Sequence, residues 1–125
     1  MHGNLDSNSS IFLQIGKMLE DDILRDILRE DEQVPSTNEL AKLYSINPAT
    51  AAKGINLLVD DNILYKKRGI GMFVASGAKD IIITKRKTSF ISEYIKTLVQ
   101  EAKSLGISEN ELITMIQTET TKENV

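Results

Sequence analysis

Cysteine and tryptophan are absent from this chain, and histidine occurs once. The absence of cysteine excludes disulfide bonds, thiolate metal sites and cysteine nucleophiles. The single histidine, His2, lies in a polar N-terminal stretch, which leaves metal catalysis almost without ligands. No nucleophile–base pair or metal cluster is evident in the sequence, so an enzyme is the weakest class of function, and we predict no cofactor and no metal site.

Long apolar runs are also missing. No segment approaches the roughly 18 apolar residues of a membrane span, and the N-terminus lacks the basic-then-apolar pattern of a signal peptide. We therefore expect a cytoplasmic protein that does not associate with a membrane. The 125 residues, 41% hydrophobic and 26% charged, suffice for one compact domain with a small appendage. We expect residues 1–10 to be a flexible leader outside the fold.

The net charge is −3 at pH 7, but the two signs are unevenly distributed. Residues 1–41 hold three Lys/Arg against nine Asp/Glu, residues 42–87 hold nine against three, and residues 88–125 hold three against six. Because salt screens exposed charges beyond about 8–10 Å, a local basic region matters more to a phosphate-bearing partner than the net charge does. The middle segment is thus the candidate surface for nucleic acid; the alternative is an uneven scatter of solvated charges.

Apolar residues at three- and four-residue steps predict an amphipathic first helix from Ile11 to about Leu28. The stripe consists of Ile11, Ile15, Met18, Leu19, Ile23 and Ile27. The outer face is acidic, and phosphate would repel it, so we expect it to point to solvent and away from nucleic acid. That face carries Glu20, Asp21, Asp22 and Asp26. A polar connector over residues 29–33 follows.

A helix, a tight turn and a second helix are predicted between Ser36 and Asp60. Ser36 with Glu39 three residues on forms a capping box that starts the first of them. Asn47 can cap the next helix, and Pro48 suits its first turn, where the missing N–H costs nothing. We predict that second helix from Pro48 to Asp60, with inward residues Ala51, Ile55, Leu58 and Val59. The layout is that of a helix-turn-helix, whose second helix is shaped to enter the DNA major groove.

A β-hairpin is predicted after the second helix. Residues 63–66 and 72–75 read as strands, and residues 67–71 between them form a turn with two glycines. Gly69-Ile70-Gly71 is not a dinucleotide-binding loop, because Val74 stands where a third glycine is needed. Helix, turn, helix and hairpin make a winged helix. The predicted fold class is therefore mainly α with a small β-hairpin wing, over residues 11–77.

Beyond Gly77 the pattern is typical of helices that pack on other helices. An apolar stripe runs along one predicted helix as far as Gly106, and Ser108 with Glu111 forms a capping box at the start of a second, shorter one. We assign residues 78–117 to a two-helix C-terminal dimerisation region and residues 118–125 to a disordered tail. The expected interface residues are Phe90, Ile91, Tyr94, Ile95, Leu98, Val99, Ala102, Leu112, Ile113 and Ile116.

Three motifs, in order, resemble the DNA-binding domain of GntR-family bacterial repressors. They are Val34-Pro35-Ser36-Thr37-Asn38-Glu39-Leu40-Ala41, Ile46-Asn47-Pro48-Ala49-Thr50-Ala51-Ala52-Lys53 and Gly69-Ile70-Gly71-Met72-Phe73-Val74. The resemblance spans about residues 11–75, and the short tail looks like that of the YtrA-like subfamily, whose members use two helices mainly to dimerise. Many family members have a DNA-contacting arginine where Asn38 and Pro48 stand here, whereas Lys53 matches a basic position of the family's recognition helix. The base-reading set of this chain must therefore differ.

The two helix starts and the wing supply the DNA-contacting residues that the resemblance implies. Exposed amides favour a phosphate at the first helix start, the first turns of the second helix lie nearest base edges, and the basic wing tip suits the minor groove. The alternatives are that Ser36 only caps its helix, that Lys53 is a solvated side chain without a DNA contact, and that the wing is a solvated hairpin. The predicted residues are Ser36, Thr37, Asn38, Asn47, Ala49, Thr50, Lys53, Lys66, Lys67, Arg68, Gly69 and Gly71.

Phe90 and Tyr94 have two interpretations. A small-molecule pocket needs roughly 300 Å³ or more enclosed by protein, and two helices can hardly close one. A dimer interface is therefore favoured, while a ligand cleft between two subunits stays open. The sequence identifies no effector.

The sequence therefore predicts a homodimeric, sequence-specific transcriptional regulator of bacteria, which acts as a repressor on a two-fold operator of double-stranded DNA. The resemblance to the YtrA-like group implies control of a nearby operon, often one that encodes an ABC transporter. The alternative is a winged-helix protein-interaction module that does not bind DNA.

Overall fold

The structure, a computed structural model, describes residues 10–123 of the chain. Its architecture is mainly helical with one two-stranded antiparallel hairpin, which confirms the predicted fold class. Within residues 10–123, no helix has the length and apolar content that crossing a bilayer requires. The elements in chain order are α1 (Ile11–Leu24), α2 (Thr37–Tyr44), α3 (Pro48–Asp60), β1 (Leu64–Lys67), β2 (Gly71–Val74), α4 (Ala78–Phe90), a π-helical segment (Ile91–Ile95), α5 (Lys96–Ser104) and α6 (Glu109–Glu123).

The described part of the chain divides into two compact units, the first ending at residue 84 and the second beginning at residue 85. The boundary predicted after residue 77 is too early, because Ala78 and Ile82 at the start of α4 are fully buried in the core of the first unit. The carboxylate of Glu30 accepts the backbone N–H of Gly77 at 2.8 Å, which fixes the chain where α4 begins. The predicted leader lies outside the described residues except for Ser10, which stands at the N-cap of α1.

Helices α1 and α3 pack closely at two buried glycines, Gly16 and Gly54. A Cβ on Gly54 would lie 2.7 Å from the carbonyl oxygen of Phe12 and 3.0 Å from the side chain of Ile15. Close approach of two backbones is one of the uses of glycine. The packing forms the centre of the first unit, whose core includes Ile15, Leu19, Ile23, Leu40, Ala51, Ile55, Leu58, Ile63, Leu64, Val74 and Ile82.

The acidic face of α1 departs from the prediction. Glu20 and Asp22 are each only 5% exposed, not solvated. The helix ends at Leu24 because the chain turns back, and the carbonyl of Asp22 accepts the backbone N–H groups of Ile27 and Leu28 at 2.8 and 3.1 Å. The burial of Glu20 and Asp22 means that the protein also covers positions beside the apolar stripe. Ile27, predicted within the stripe, lies beyond the end of the helix and is 48% exposed.

The connector before α2 pairs with the hairpin, a feature that the sequence did not indicate. Gln33 forms an antiparallel bridge to Phe73, the N–H of Val34 donates to the carbonyl of Met72 at 2.9 Å, and the N–H of Val74 donates to that of Glu32 at 3.0 Å. The hairpin itself pairs Leu64 with Val74 and ends with Lys67 opposite Gly71, one residue away from the predicted strand bounds. Strand β2 thus has partners on both of its edges.

The second unit, from residue 85 onward, carries the two helices predicted for the C-terminal region, with two corrections. The first is the π-helical segment Ile91–Ile95, which interrupts the expected regular helix. The second is the tail: α6 continues to Glu123, so residues 118–123 are helical and not disordered, and residues 124–125 lie outside the described part. The hydroxyls of Thr118, Thr120 and Thr121 donate to the carbonyl four residues earlier, so the polar side chains are satisfied on the helix.

Candidate nucleic-acid interface

All of the predicted DNA-contacting residues belong to the first unit, and none of them is buried. They come from three places: the start of α2, the start of α3 and the wing. Thr37, Thr50 and Gly71 are half-buried. The exposed members are Ser36, Asn38, Asn47, Ala49, Lys53, Lys66, Lys67, Arg68 and Gly69.

The start of α2 is a complete capping box, as predicted. The hydroxyl of Ser36 accepts the N–H of Glu39 at 3.1 Å, and the carboxylate of Glu39 accepts the N–H of Ser36 at 3.0 Å. The backbone hydrogen bond from Ser36, followed by the one with its hydroxyl, lowers the pKa of Glu39 from its ordinary value. Ser36 therefore caps the helix, and Thr37 and Asn38 form the first turn beside it.

The start of α3 follows a tight turn in which Ser45 adopts a left-handed conformation with φ of 53°. The side-chain oxygen of Asn47 accepts the N–H of Ala49 at 2.7 Å, and Pro48 occupies the first turn. The side chain of Asn47 therefore caps α3. Helix α3 spans Pro48–Asp60, the predicted bounds, with Ala51, Ile55 and Leu58 buried. This leaves Ala49 exposed and Thr50 half-exposed at the N-terminal end of the helix.

Lys53 has a partner that sequence reasoning missed. Its ammonium nitrogen lies 4.0 Å from the centroid of the Phe12 ring, a cation–π contact between α3 and α1. Phe12 is the second residue of α1, and no local pattern connects it with a residue so far along the chain. Only the tertiary packing of the two helices reveals the pair.

The wing carries its lysines on opposite faces, because successive side chains of a strand alternate. Lys66 pairs across the hairpin with Met72, whereas Lys67 lies on the face of Tyr65 and Phe73. The Tyr65 and Phe73 rings stack with centroids 5.8 Å apart, and the ammonium of Lys67 lies 4.3 Å from the Phe73 centroid. Both lysines are exposed, and Lys67 lies against the aromatic face whereas Lys66 lies on the opposite one.

The connector before α2 makes a hydrogen bond to the tip of the wing. Gly69 and Gly71 have φ of 77° and 149°, conformations that L side chains rarely adopt. The side-chain amide of Gln33 donates to the carbonyl of Ile70 at 3.0 Å. Arg68 and Ile70 project from this turn, and both are exposed.

Acidic residues near the wing are paired within the chain. The hydroxyl of Tyr65 donates to Asp31 at 2.8 Å, and this hydrogen bond, followed by burial and the charge of Asp31, raises the pKa of Tyr65. The ammonium of Lys79 lies 2.9 Å from the carboxylate of Asp26. Two acidic residues that precede the helix-turn-helix in sequence are therefore paired within the chain, Asp31 at the wing and Asp26 at the start of α4.

The predicted dimer-interface residues belong to the stretch from Phe90 onward. Ala102 is not free to contact a second copy as predicted, because it is only 6% exposed within its own chain. Leu112 is half-buried. The Phe90 and Tyr94 rings contact each other with centroids 5.5 Å apart, and both remain more than half exposed. The other exposed members are Ile91, Ile95, Leu98, Val99, Ile113 and Ile116.

Comparison with known proteins gives a consistent family. The family model for bacterial regulatory proteins of the gntR family matches residues 12–74. The HTH-type transcriptional repressor YtrA of Bacillus subtilis (strain 168) is 29% identical over 101 residues, which cover 81% of this chain and 77% of that protein. The uncharacterized HTH-type transcriptional regulator YhcF of the same strain is 28% identical over 118 residues, which cover 94% of this chain and 96% of that protein.

Solved structures agree with these sequences. A GntR-family protein from Bacteroides thetaiotaomicron superposes with a TM-score of 0.79 at 35% identity, over 90% of this chain and 98% of the other. The DNA-binding domain of AraR, solved in complex with its operator ORX1, superposes with a TM-score of 0.51 at 28% identity, over 60% of this chain and 92% of the other.

Proposed function

The chain belongs to the gntR family of bacterial regulatory proteins, and we propose that it is a homodimeric repressor that binds a two-fold operator. The family relationship makes it a DNA-binding transcriptional regulator and not an enzyme. The observation that carries the proposal is the capped recognition helix α3, which presents Ala49, Thr50 and Lys53 at its N-terminal end in a helix-turn-helix.

Helix α3 enters the major groove in the proposed complex, and the wing lies at the minor groove. Ala49 and the methyl group of Thr50 suit contact with a thymine methyl, and Lys53 can reach a guanine or a phosphate. Lys66, Arg68 and Gly69 of the wing are exposed for a close approach to the DNA backbone. The similar fold of the AraR domain, which was solved on an operator, supports this use of the surface.

Dimerisation completes the proposed operator complex. One small module makes few DNA contacts, and joining two modules converts the second contact into an intramolecular one with a high effective concentration. The exposed apolar residues between Phe90 and Val99 favour an interface between two copies, because contiguous apolar patches on a folded surface mark interaction sites. A two-fold dimer then predicts a two-fold operator.

The regulated genes are the most specific part of the proposal. The resemblance to the YtrA-like group supports an operon beside the regulator's own gene, with an ABC transporter among its products. Control of an operator also places the protein in the bacterial cytoplasm. The gene neighbourhood and transcript levels in a deletion strain test both the target and the direction of control, because loss of a repressor raises transcription of its target.

Fluorescence anisotropy with the promoter of the neighbouring operon, at several salt concentrations, tests DNA binding directly. We expect saturable binding that weakens as salt rises, and much weaker binding to an unrelated duplex of equal length. Lys53→Ala should weaken operator binding by about 1–3 kcal/mol if Lys53 reads a base, and should weaken binding to every duplex alike and lower the salt slope if it contacts a phosphate. Lys42→Ala is the matched control, since Lys42 is an exposed lysine at the far end of α2.

Absence of saturable, salt-sensitive binding to the promoter would contradict the repressor proposal. It would favour a winged-helix module that recognises a protein instead.

A further inference from the structure

Lys53 and Phe12 form a cross-helix pair on the surface of the first unit. The Lys53 ammonium lies 4.0 Å from the centroid of the Phe12 ring, within the range of a cation–π interaction. Lys53 is exposed on the recognition helix, and Phe12 is half-buried in the first turn of α1. The lysine expected to meet DNA is therefore held by an aromatic ring from another helix.

The close contact between α1 and α3 at Gly54 determines where the Phe12 ring lies. Gly54 follows Lys53 in the chain, and a Cβ on Gly54 would lie 2.7 Å from the carbonyl oxygen of Phe12. The backbone of Phe12 thus passes directly beside the recognition helix at the position of Lys53. Because both helices are anchored in the core, through Ile15 and Ile55 among others, the ring has a fixed base.

We propose that Phe12 is a positioning residue for DNA recognition, because its ring holds the Lys53 ammonium at the place where the operator is contacted. This inference rests on the proposed function. A lysine side chain has four flexible carbons, and ordering such a chain on binding opposes association. An ammonium has three N–H donors, so contact with one ring face leaves donors for a base or a phosphate.

A purely structural role for the pair makes a different prediction. If the Phe12 ring served only to pack α1 against its neighbours, its replacement would lower stability and would affect operator binding equally whether or not Lys53 is present. A positioning role requires that the effect of Phe12 on DNA pass through Lys53. A double-mutant cycle separates these two cases.

The experiment measures operator affinity for the wild type, Phe12→Leu, Lys53→Ala and the double variant, all as the full chain. Exposed cation–π contacts contribute amounts that correspond to about a two- to fivefold change in an equilibrium constant. We expect Phe12→Leu to weaken operator binding by about that factor and to have no further effect in the Lys53→Ala background. Phe12→Tyr should bind the operator with wild-type affinity, since it keeps the aromatic ring.

An NMR measurement on the free protein provides a second readout. The ring current of Phe12 should shift the Lys53 CεH₂ protons upfield in the wild type and in Phe12→Tyr, and the shift should disappear in Phe12→Leu. If Phe12→Leu does not fold, Phe12→Met replaces it, because an unbranched apolar side chain fills irregular gaps.

Unchanged or tighter operator binding by Phe12→Leu, or an equal loss in both Lys53 backgrounds, overturns the inference and leaves the repressor proposal intact. The same holds if Lys53→Ala binds the operator as the wild type does. If the wild type shows no salt-sensitive operator binding, the proposed function fails, and the inference fails with it.

Discussion

The side chain of Gln33 occupies the space that a side chain at Gly71 would need. A Cβ on Gly71 would lie 2.5 Å from the Gln33 amide nitrogen, which donates to the carbonyl of the neighbouring Ile70 at 3.0 Å. Gly71 also has φ of 149°, which L side chains rarely adopt. The connector before α2 and the tip of the wing are therefore matched to each other, and a change at either residue should alter the wing.

Gly71→Ala should destabilise the fold by about 2–4 kcal/mol, the sum of backbone strain and a lost hydrogen bond. Gly69→Ala is the control, because Gly69 has φ of 77° and nothing within 4 Å of a Cβ, so it should show the strain alone. Urea unfolding measures both. In a Gln33→Ala background, which already lacks that hydrogen bond, Gly71→Ala should cost less than it does in the wild-type background, whereas Gly69→Ala should cost the same in both; equal effects at both glycines would contradict the matched fit.

Gly54→Ala should destabilise the first unit by about 1–3 kcal/mol, the usual cost of overpacking, because the added Cβ meets the Phe12 carbonyl oxygen. Gly16→Ala is the matched control in the facing helix. There a Cβ would lie 3.6 Å from the carbonyl oxygen of Gly54, an ordinary contact, so higher helix propensity should make this change neutral or mildly stabilising. Thermal and urea unfolding distinguish the two, and a neutral Gly54→Ala would mean that the helices can separate without loss.

Leu98→Asp should convert the proposed dimer to a monomer without unfolding it. Leu98 is 39% exposed within one chain, so the new charge is solvated in the monomer but would be buried between two copies. Light scattering coupled to size exclusion measures the mass, and circular dichroism checks the helices. Gln100→Asp, also at an exposed site of α5, should leave the dimer intact. A wild-type chain that is monomeric at micromolar concentration would refute the proposed assembly.

Acidification should weaken the start of α2 through Glu39. Its pKa is lowered in the folded state by the hydrogen bonds with Ser36, so its contribution to stability is present above its ordinary pKa of 4.5 and is lost as the pH falls through the lower folded value. Glu39→Gln keeps an acceptor oxygen but does not titrate there. The difference in stability between wild type and Glu39→Gln, measured by urea unfolding from pH 7 to pH 3, should therefore shrink below about pH 4.5. A constant difference would show that the charge of Glu39 contributes nothing.

Local signals in the sequence were sufficient for the helix-turn-helix. The bounds of α3 were predicted because Asn47, Pro48 and the inward apolar residues all favour the same helix. The capping box of Ser36 and Glu39 is likewise a pattern of near neighbours, and the structure confirms it. These features depend on residues a few positions apart, which is the range over which a sequence pattern is informative.

Long-range packing accounts for what the sequence did not show. Phe12 had no predicted role because its partner, Lys53, lies on another helix. The burial of Glu20 and Asp22 was missed because helical periodicity describes one face of α1 and not how many elements surround it. The polar composition of residues 118–123 predicts a disordered tail, whereas the threonine hydroxyls of this segment donate to the helix backbone.

The pairing of the connector with β2 also bears on the solubility of the protein. An unpaired strand edge can template association with other chains, and natural proteins protect such edges by covering them or by placing lysines on them. The connector covers one edge of β2 through the backbone bonds of Glu32 and Val34. Strand β1, at the other side of the hairpin, ends in the exposed lysines Lys66 and Lys67. The basic wing proposed to approach DNA would thus also discourage edge-to-edge aggregation when no DNA is bound.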